Sequence, residues 1–125
     1  MKLEHFQAEW GNRASYSAAV RAGDLIVTCG QLGAEPGGPP VDFATQAETA
    51  LRRLVAVVEQ AGGGVETILR INGYLASMND FASYDRIYRQ VIGVDPKPTR
   101  TTVQLGGFVA PLLVEVDAIA LARPS

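Results

Sequence analysis

Ala47, Ala50, Leu51, Leu54, Val55, Val58 and Ala61 recur at three- and four-residue spacing, which puts them on one face of a helix. Asp42 precedes this run with side-chain acceptors for the N–H groups of a first turn, and Gly62-Gly63-Gly64 ends it. Glu48 and Arg52 form an i,i+4 pair on the other side, so Arg52-Arg53 reads as a solvated helix face. A second helical spacing joins Phe81, Tyr84, Ile87, Tyr88 and Val91. Asn79-Asp80 is its expected cap, and Gly93 with Pro96-Lys97-Pro98 closes it.

The remaining apolar segments follow the period of a strand. Ala14 to Leu32 reads as a hairpin: Ser17–Val20, a turn at Arg21-Ala22-Gly23-Asp24, then Leu25–Cys29. Gly30 stops the second strand, and the Gly- and Pro-rich stretch from Gly33 to Pro40 is a loop. From Ile68 to Ala76 the pattern has period two, with Leu69, Ile71, Gly73 and Leu75 on one side. Gly73 marks a bulge or the close approach of another backbone. Thr99–Leu105 and Leu112–Leu121 are the last two strands. Glu115 and Asp117 lie two apart in the final one and share a face. The order strand-strand-helix-strand-helix-strand-strand gives an α+β class, a single mixed β-sheet with two helices packed on one face.

At 125 residues, 47% apolar and 19% charged, one globular domain spanning 1–125 is expected. Eleven basic against thirteen acidic residues argue against nucleic acid as a partner, since no basic stripe exists to neutralise phosphates. The lone Cys29 cannot form an internal disulfide, and no apolar run approaches the ~20 residues that span a bilayer. A cytoplasmic protein without membrane contact follows as the expectation. There is no phosphate loop or dinucleotide fingerprint, and one His with one Cys does not make a typical zinc site, so neither a metal nor a cofactor is expected.

Three segments together resemble the Rid (YjgF, reactive intermediate deaminase) family. Ala14-Ser15-Tyr16-Ser17-Ala18-Ala19-Val20, followed by Thr28-Cys29-Gly30-Gln31, is similar to a GPYSQAV-like stretch followed by TSGQ. Asp80-Phe81-Ala82 with Ser83-Tyr84-Asp85 resembles the family's DFA helix. Pro98-Thr99-Arg100-Thr101-Thr102-Val103, paired with Leu113 to Ala120, resembles its P-A-R-S signature and closing strand. The resemblance covers about Tyr16 to Ala122. It implies a chorismate-mutase-like fold, a homotrimer with a pocket in each intersubunit cleft, and hydrolysis of 2-aminoacrylate-type imino acids to 2-keto acids and ammonia.

Residue chemistry agrees with several roles that the resemblance implies. Arg100 offers planar, bidentate hydrogen bonding to a substrate carboxylate, with a structural ion pair to Glu115 or Asp117 as the competing reading. Glu115, amid Leu112, Leu113, Val114, Val116 and Ile119, has surroundings that raise a carboxylate's pKa and suit proton exchange with water. Asp117 is its rival for that role. The resemblance makes Tyr16 a pocket-lining hydrogen-bond donor and Gly30 a backbone donor to the carboxylate. Two departures bear on substrate: Cys29 stands at a usual serine position and Asp85 at a usual asparagine position. Thr102 replaces a common cysteine where mainly the backbone is used. Two alternatives stay open: a pathway-specialised enzyme on another imine or enol, and a non-catalytic trimer that binds a small ligand.

Overall fold

Helix α1 (Phe43–Gln60) and helix α2 (Phe81–Val91) pack beside each other on one face of a mixed sheet in the computed structural model, which describes residues 2–7 and 14–124. The strands are β1 (Leu3–Phe6), β2 (Ala19–Ala22), β3 (Leu25–Thr28), β4 (Gln31–Leu32), β5 (Ile68–Leu75), β6 (Thr99–Gln104) and β7 (Val114–Leu121). They lie in the order β1-β2-β3-β7-β5-β6, with β4 also paired to β7. Among these pairs β5–β6 is parallel, and α2 makes the crossover that a parallel pair requires. The α+β plan read from the chain is the one found, with β1 and the two-residue β4 added.

The apolar stripe of α1 meets the sheet as its spacing predicts. Ala47, Ala50, Leu51, Leu54, Val58 and Ala61 are buried, joined by Val57, while Val55 packs at the margin. Burial of each leucine or valine contributes about 1.5–3 kcal/mol, which makes this stripe the main force seating the helix. Asp42 caps the first turn by accepting from the Thr45 amide at 3.0 Å, and Arg52 pairs with Glu48 at 3.1 Å. Arg53 departs from the solvated reading, because its guanidinium donates to the Leu32 carbonyl at 2.8 Å.

Gln46 is a polar side chain buried in this interface. Its Nε2 donates to the carbonyls of Val41 and Pro111 at 2.9 Å each, and its Oε1 accepts from the Leu113 amide at 2.9 Å. Three bonds satisfy an amide that would otherwise be costly to bury.

Local details differ from expectation for identifiable reasons. The hairpin turn is shorter than expected, holding Gly23 and Asp24 alone, and Gly23 takes a positive φ of 61° there. In β5 a bulge between Ile68 and Arg70 shifts the register, so Ile68 faces the core and Leu69 is exposed. Gly73 is approached by a side chain, not by backbone: a Cβ there would lie 2.6 Å from Tyr84 Oη. Ahead of α2, Ser77 accepts from the Asn79 amide and Met78–Asp80 forms a 3-10 turn, while the Asp80 side chain makes no capping bond.

Among the described residues no helix covers the opposite face of the sheet. The strand registers put Leu3, Leu25, Val27, Val103 and Leu121 on it, and all five are exposed. Among the described residues no helix is long and apolar enough to cross a membrane.

Candidate functional site

Arg100 pairs in register with the buried Ile71, so its side chain leaves β6 on the helix face of the sheet. There it meets one side of α2, where Phe81, Asp85 and Tyr88 follow at four- and three-residue spacing. The guanidinium carbon lies 4.8 Å from the Tyr88 ring centre and 5.4 Å from that of Phe81. Nη1 donates to Asp85 Oδ1 at 2.7 Å, and Asp85 Oδ2 accepts from Arg89 Nε at 2.9 Å. The bond from Arg100, and after it that from Arg89, holds the Asp85 carboxyl below the usual carboxylate range. The side chains of Arg100 and Asp85 keep 25% and 26% of their surface exposed. A cavity of about 470 Å³ opens beside them, walled in part by Tyr88, Ile92, Val94 and Pro98. The size lies within the range of about 300–1,000 Å³ usual for small-molecule pockets.

The competing reading pairs Arg100 with Glu115 or Asp117; the side chain it meets is Asp85. The β7 carboxylates leave the sheet on its other face, which puts them out of reach. Thr102, in register with Gly73, lies on the Arg100 side. Its hydroxyl and those of Tyr84 and Tyr88 are buried without hydrogen-bond partners among the described residues. Burial pushes the Tyr84 phenol well above its ordinary pKa.

On the opposite face, Glu115 pairs in register with Tyr74 of β5 and Leu32 of β4. A Cβ on Gly30 would overlap the Glu115 carboxylate, so only glycine allows this approach. Burial raises the Glu115 pKa, and the charge of Asp117 adds to the rise. Asp117 is engaged at both oxygens: Asn72 Nδ2 donates to one at 2.8 Å and Tyr74 Oη to the other at 2.9 Å. No hydrogen bond among the described residues engages the Glu115 carboxylate. Cys29 donates weakly to the Gly30 carbonyl and accepts from Gln31 Nε2 at 3.3 Å. Burial, with Glu115 and Asp117 adding to it, pushes its thiol up, so the group is neutral near pH 7 and suits packing better than attack.

The chain therefore gathers Cys29, Gly30 and Glu115 on one face and Arg100, Asp85 and Thr102 on the other. Tyr16 stands ahead of β2, 61% exposed. Asn72 and Tyr74 escaped the sequence reading, although their alternate positions in a strand opposite Asp117 carried the signal. Among the described residues no group of three His, Cys, Asp or Glu could hold a metal ion.

A family model described as Endoribonuclease L-PSP matches residues 6–122. The chain belongs to the Rid (YjgF) family. A Rid relative in Escherichia coli strain K12, "Putative reactive intermediate deaminase TdcF", is 30% identical over 124 residues, which cover 96% of each chain. A RutC family protein of Pyrococcus horikoshii is 31% identical over 108 residues, 84% of this chain and 85% of the relative. The crystal structure of RidA from an Antarctic Psychrobacter is 27% identical, with a TM-score of 0.84 over 94% of this chain and 98% of that one. A Mycobacterium tuberculosis member of the YjgF/YER057c/UK114 family is 28% identical, with a TM-score of 0.82 over 97% and 100%. The mixed sheet with two helices on one face is thus the Rid fold.

Proposed function

We propose that this Rid protein is an imine deaminase that hydrolyses 2-aminoacrylate-type imino acids to 2-keto acids and ammonia, at sites shared between copies of a homotrimer. The observation that carries this reading is the placement of Arg100 and Glu115 on opposite faces of one sheet. A carboxylate-binding cation and a water-activating carboxylate then converge only when the Arg100 side of one copy meets the Glu115 side of another. The uncovered apolar face, with Leu25, Val27 and Leu121 exposed, supplies the surface on which copies associate. The relative named as a reactive intermediate deaminase supports the same chemistry.

The proposed reaction needs no cofactor. Arg100 and the Gly30 N–H hold the substrate carboxylate, and Tyr16 closes the pocket as a donor. Glu115 accepts a proton from water as its oxygen bonds to the iminium carbon, forming a tetrahedral aminoalcohol. That proton passes to the nitrogen, Glu115 takes the hydroxyl proton as the C–N bond breaks and the C=O bond forms, and ammonia leaves with the 2-keto acid behind. A raised pKa suits Glu115 for this exchange, because acid–base groups work best near the operating pH. The backbone of Thr102 lines the substrate side, and Cys29 packs beside Gly30.

The test is keto-acid release from freshly generated 2-aminoacrylate by wild type and Arg100→Ala. Acceleration by wild type that falls at least about 30-fold in the variant is the expected result, the scale of a lost charge-assisted hydrogen bond. A folded wild-type protein without acceleration would overturn the reading.

A further inference from the structure

Arg100 is not a bare cation, because the aspartate on α2 already occupies one of its arms. We propose that Asp85 sets the charge preference of the Arg100 pocket, making it select ligands with one negative charge over ligands with two. This rests on the proposed reading of Arg100 as the group that binds a carboxylate.

Three side chains set the charge on the Arg100 side of the site. Arg100 and Arg89 flank Asp85 at 2.7 and 2.9 Å, so two cations and one anion leave a single positive charge. Farther along the cavity wall, Lys97 lies 3.5 Å from Asp95, and that exposed pair cancels. On this side of the site a monoanion thus meets one uncompensated charge, and the Glu115 carboxylate that the proposed assembly brings opposite it belongs to another copy. A dianion meets the same positive charge and presses its second charge toward an aspartate that two guanidiniums keep ionised. Geometry agrees with electrostatics. Asp85 takes Nη1, while no hydrogen bond among the described residues engages Nε or Nη2 of Arg100. That edge accepts one carboxylate side-on, with two parallel N–H donors, and leaves Asp85 in place. Tyr88 and Phe81 against the guanidinium hold the edge in a fixed orientation.

Calorimetric titration with pyruvate and malonate at matched ionic strength tests this in wild type, Asp85→Asn and Arg100→Ala. Removing one charge at roughly 5–6 Å, in an environment between protein and water, changes affinity about tenfold per ligand charge. Asp85→Asn is therefore expected to tighten pyruvate about tenfold and malonate about a hundredfold, shifting preference about tenfold toward the dianion. Arg89→Gln, at an exposed side chain, is expected to shift preference the other way and guards against a misfolded Asp85 variant. If Asp85 only props Arg100, its replacement weakens both ligands alike, and the proposal falls. An unmoved ratio in a protein whose binding needs Arg100 overturns this proposal alone. Binding that survives Arg100→Ala, or no binding to wild type and Asp85→Asn, overturns it together with the Arg100 reading.

Discussion

Tyr74 reaches diagonally from β5 to Asp117 on β7, and its phenol donates to the carboxylate at 2.9 Å. With Asn72 on its other oxygen, Asp117 is fully engaged, which leaves Glu115 as the β7 carboxylate available to water. Glu115→Gln is expected to cut turnover by about 10²–10⁴-fold, the range of a lost general base. Asp117→Asn keeps most of the activity. Its signature is in the pH profile. The base is active when ionised, so the rate falls as pH drops through the Glu115 pKa. Removing the Asp117 charge relieves part of the rise in that pKa and moves the acid limb to lower pH. Cys29 and Tyr74 are the other titratable groups near this pair, and both titrate above their ordinary values, away from that limb. An acid limb unmoved in Asp117→Asn, measured by initial rates across pH, would contradict this account.

The same raised pKa has a cost in stability, and its sign is fixed. A carboxylate whose folded pKa lies above its unfolded value binds more protons folded than unfolded in the window between the two. Its contribution is favourable below the unfolded pKa and is lost as pH rises through the folded one. Glu115→Gln is therefore expected to raise the thermal midpoint relative to wild type near pH 7. The difference shrinks toward pH 4, and scanning calorimetry at the two pH values measures it.

Two packing sites should give large, separate stability effects. Gly73→Ala drives a methyl against the Tyr84 phenol, whose oxygen and ring carbon lie 2.6 and 3.0 Å from the new atom. Overpacking of this kind costs about 1–3 kcal/mol. Gln46→Leu removes three hydrogen bonds and strands two carbonyls and an amide, a loss of about 3 kcal/mol. Urea unfolding monitored by circular dichroism reads both, and a change under about 0.5 kcal/mol at either site would count against the packing described.

If sites are shared between copies, as proposed, they permit complementation. Arg100→Ala and Glu115→Gln subunits are each expected to be inactive alone. Unfolded together in equal amounts and refolded, they should regain about a quarter of wild-type activity, because each site draws one residue from each of two copies at random. Light scattering should show trimers throughout. No recovery in correctly assembled mixtures would mean that one copy supplies both groups.

How far the sequence could be read depended on which forces were local. The stripe of α1 and the cap at Asp42 were legible because helix periodicity and capping need only near neighbours. The three motifs pointed to Arg100, Glu115, Gly30 and Asp85, of which the structure sets Arg100 against Asp85 and Glu115 against Gly30. What escaped was set by contacts distant in sequence. Leu69 was grouped with Ile71, Gly73 and Leu75 on one side of its strand, since a bulge is invisible to a period-two count. The Arg100–Asp85 pair was missed because charge matching alone offered Glu115 or Asp117 equally, and only the register with Ile71 decides which face the guanidinium takes. Gln46 reads as an ordinary polar helix residue until the loops that fold over it are known.

That glutamine has a wider consequence. Leu113, which it holds, lies two residues before Glu115, and Gly33, three residues after Gly30, packs directly on the Gln46 backbone. Helix α1 therefore works as a spacer gauge for the opposite side of the sheet. The gap in which Glu115 meets the Gly30 backbone is inherited from the seating of a helix on the other face of the sheet, and a substitution that re-seats α1 would retune the carboxylate from a distance.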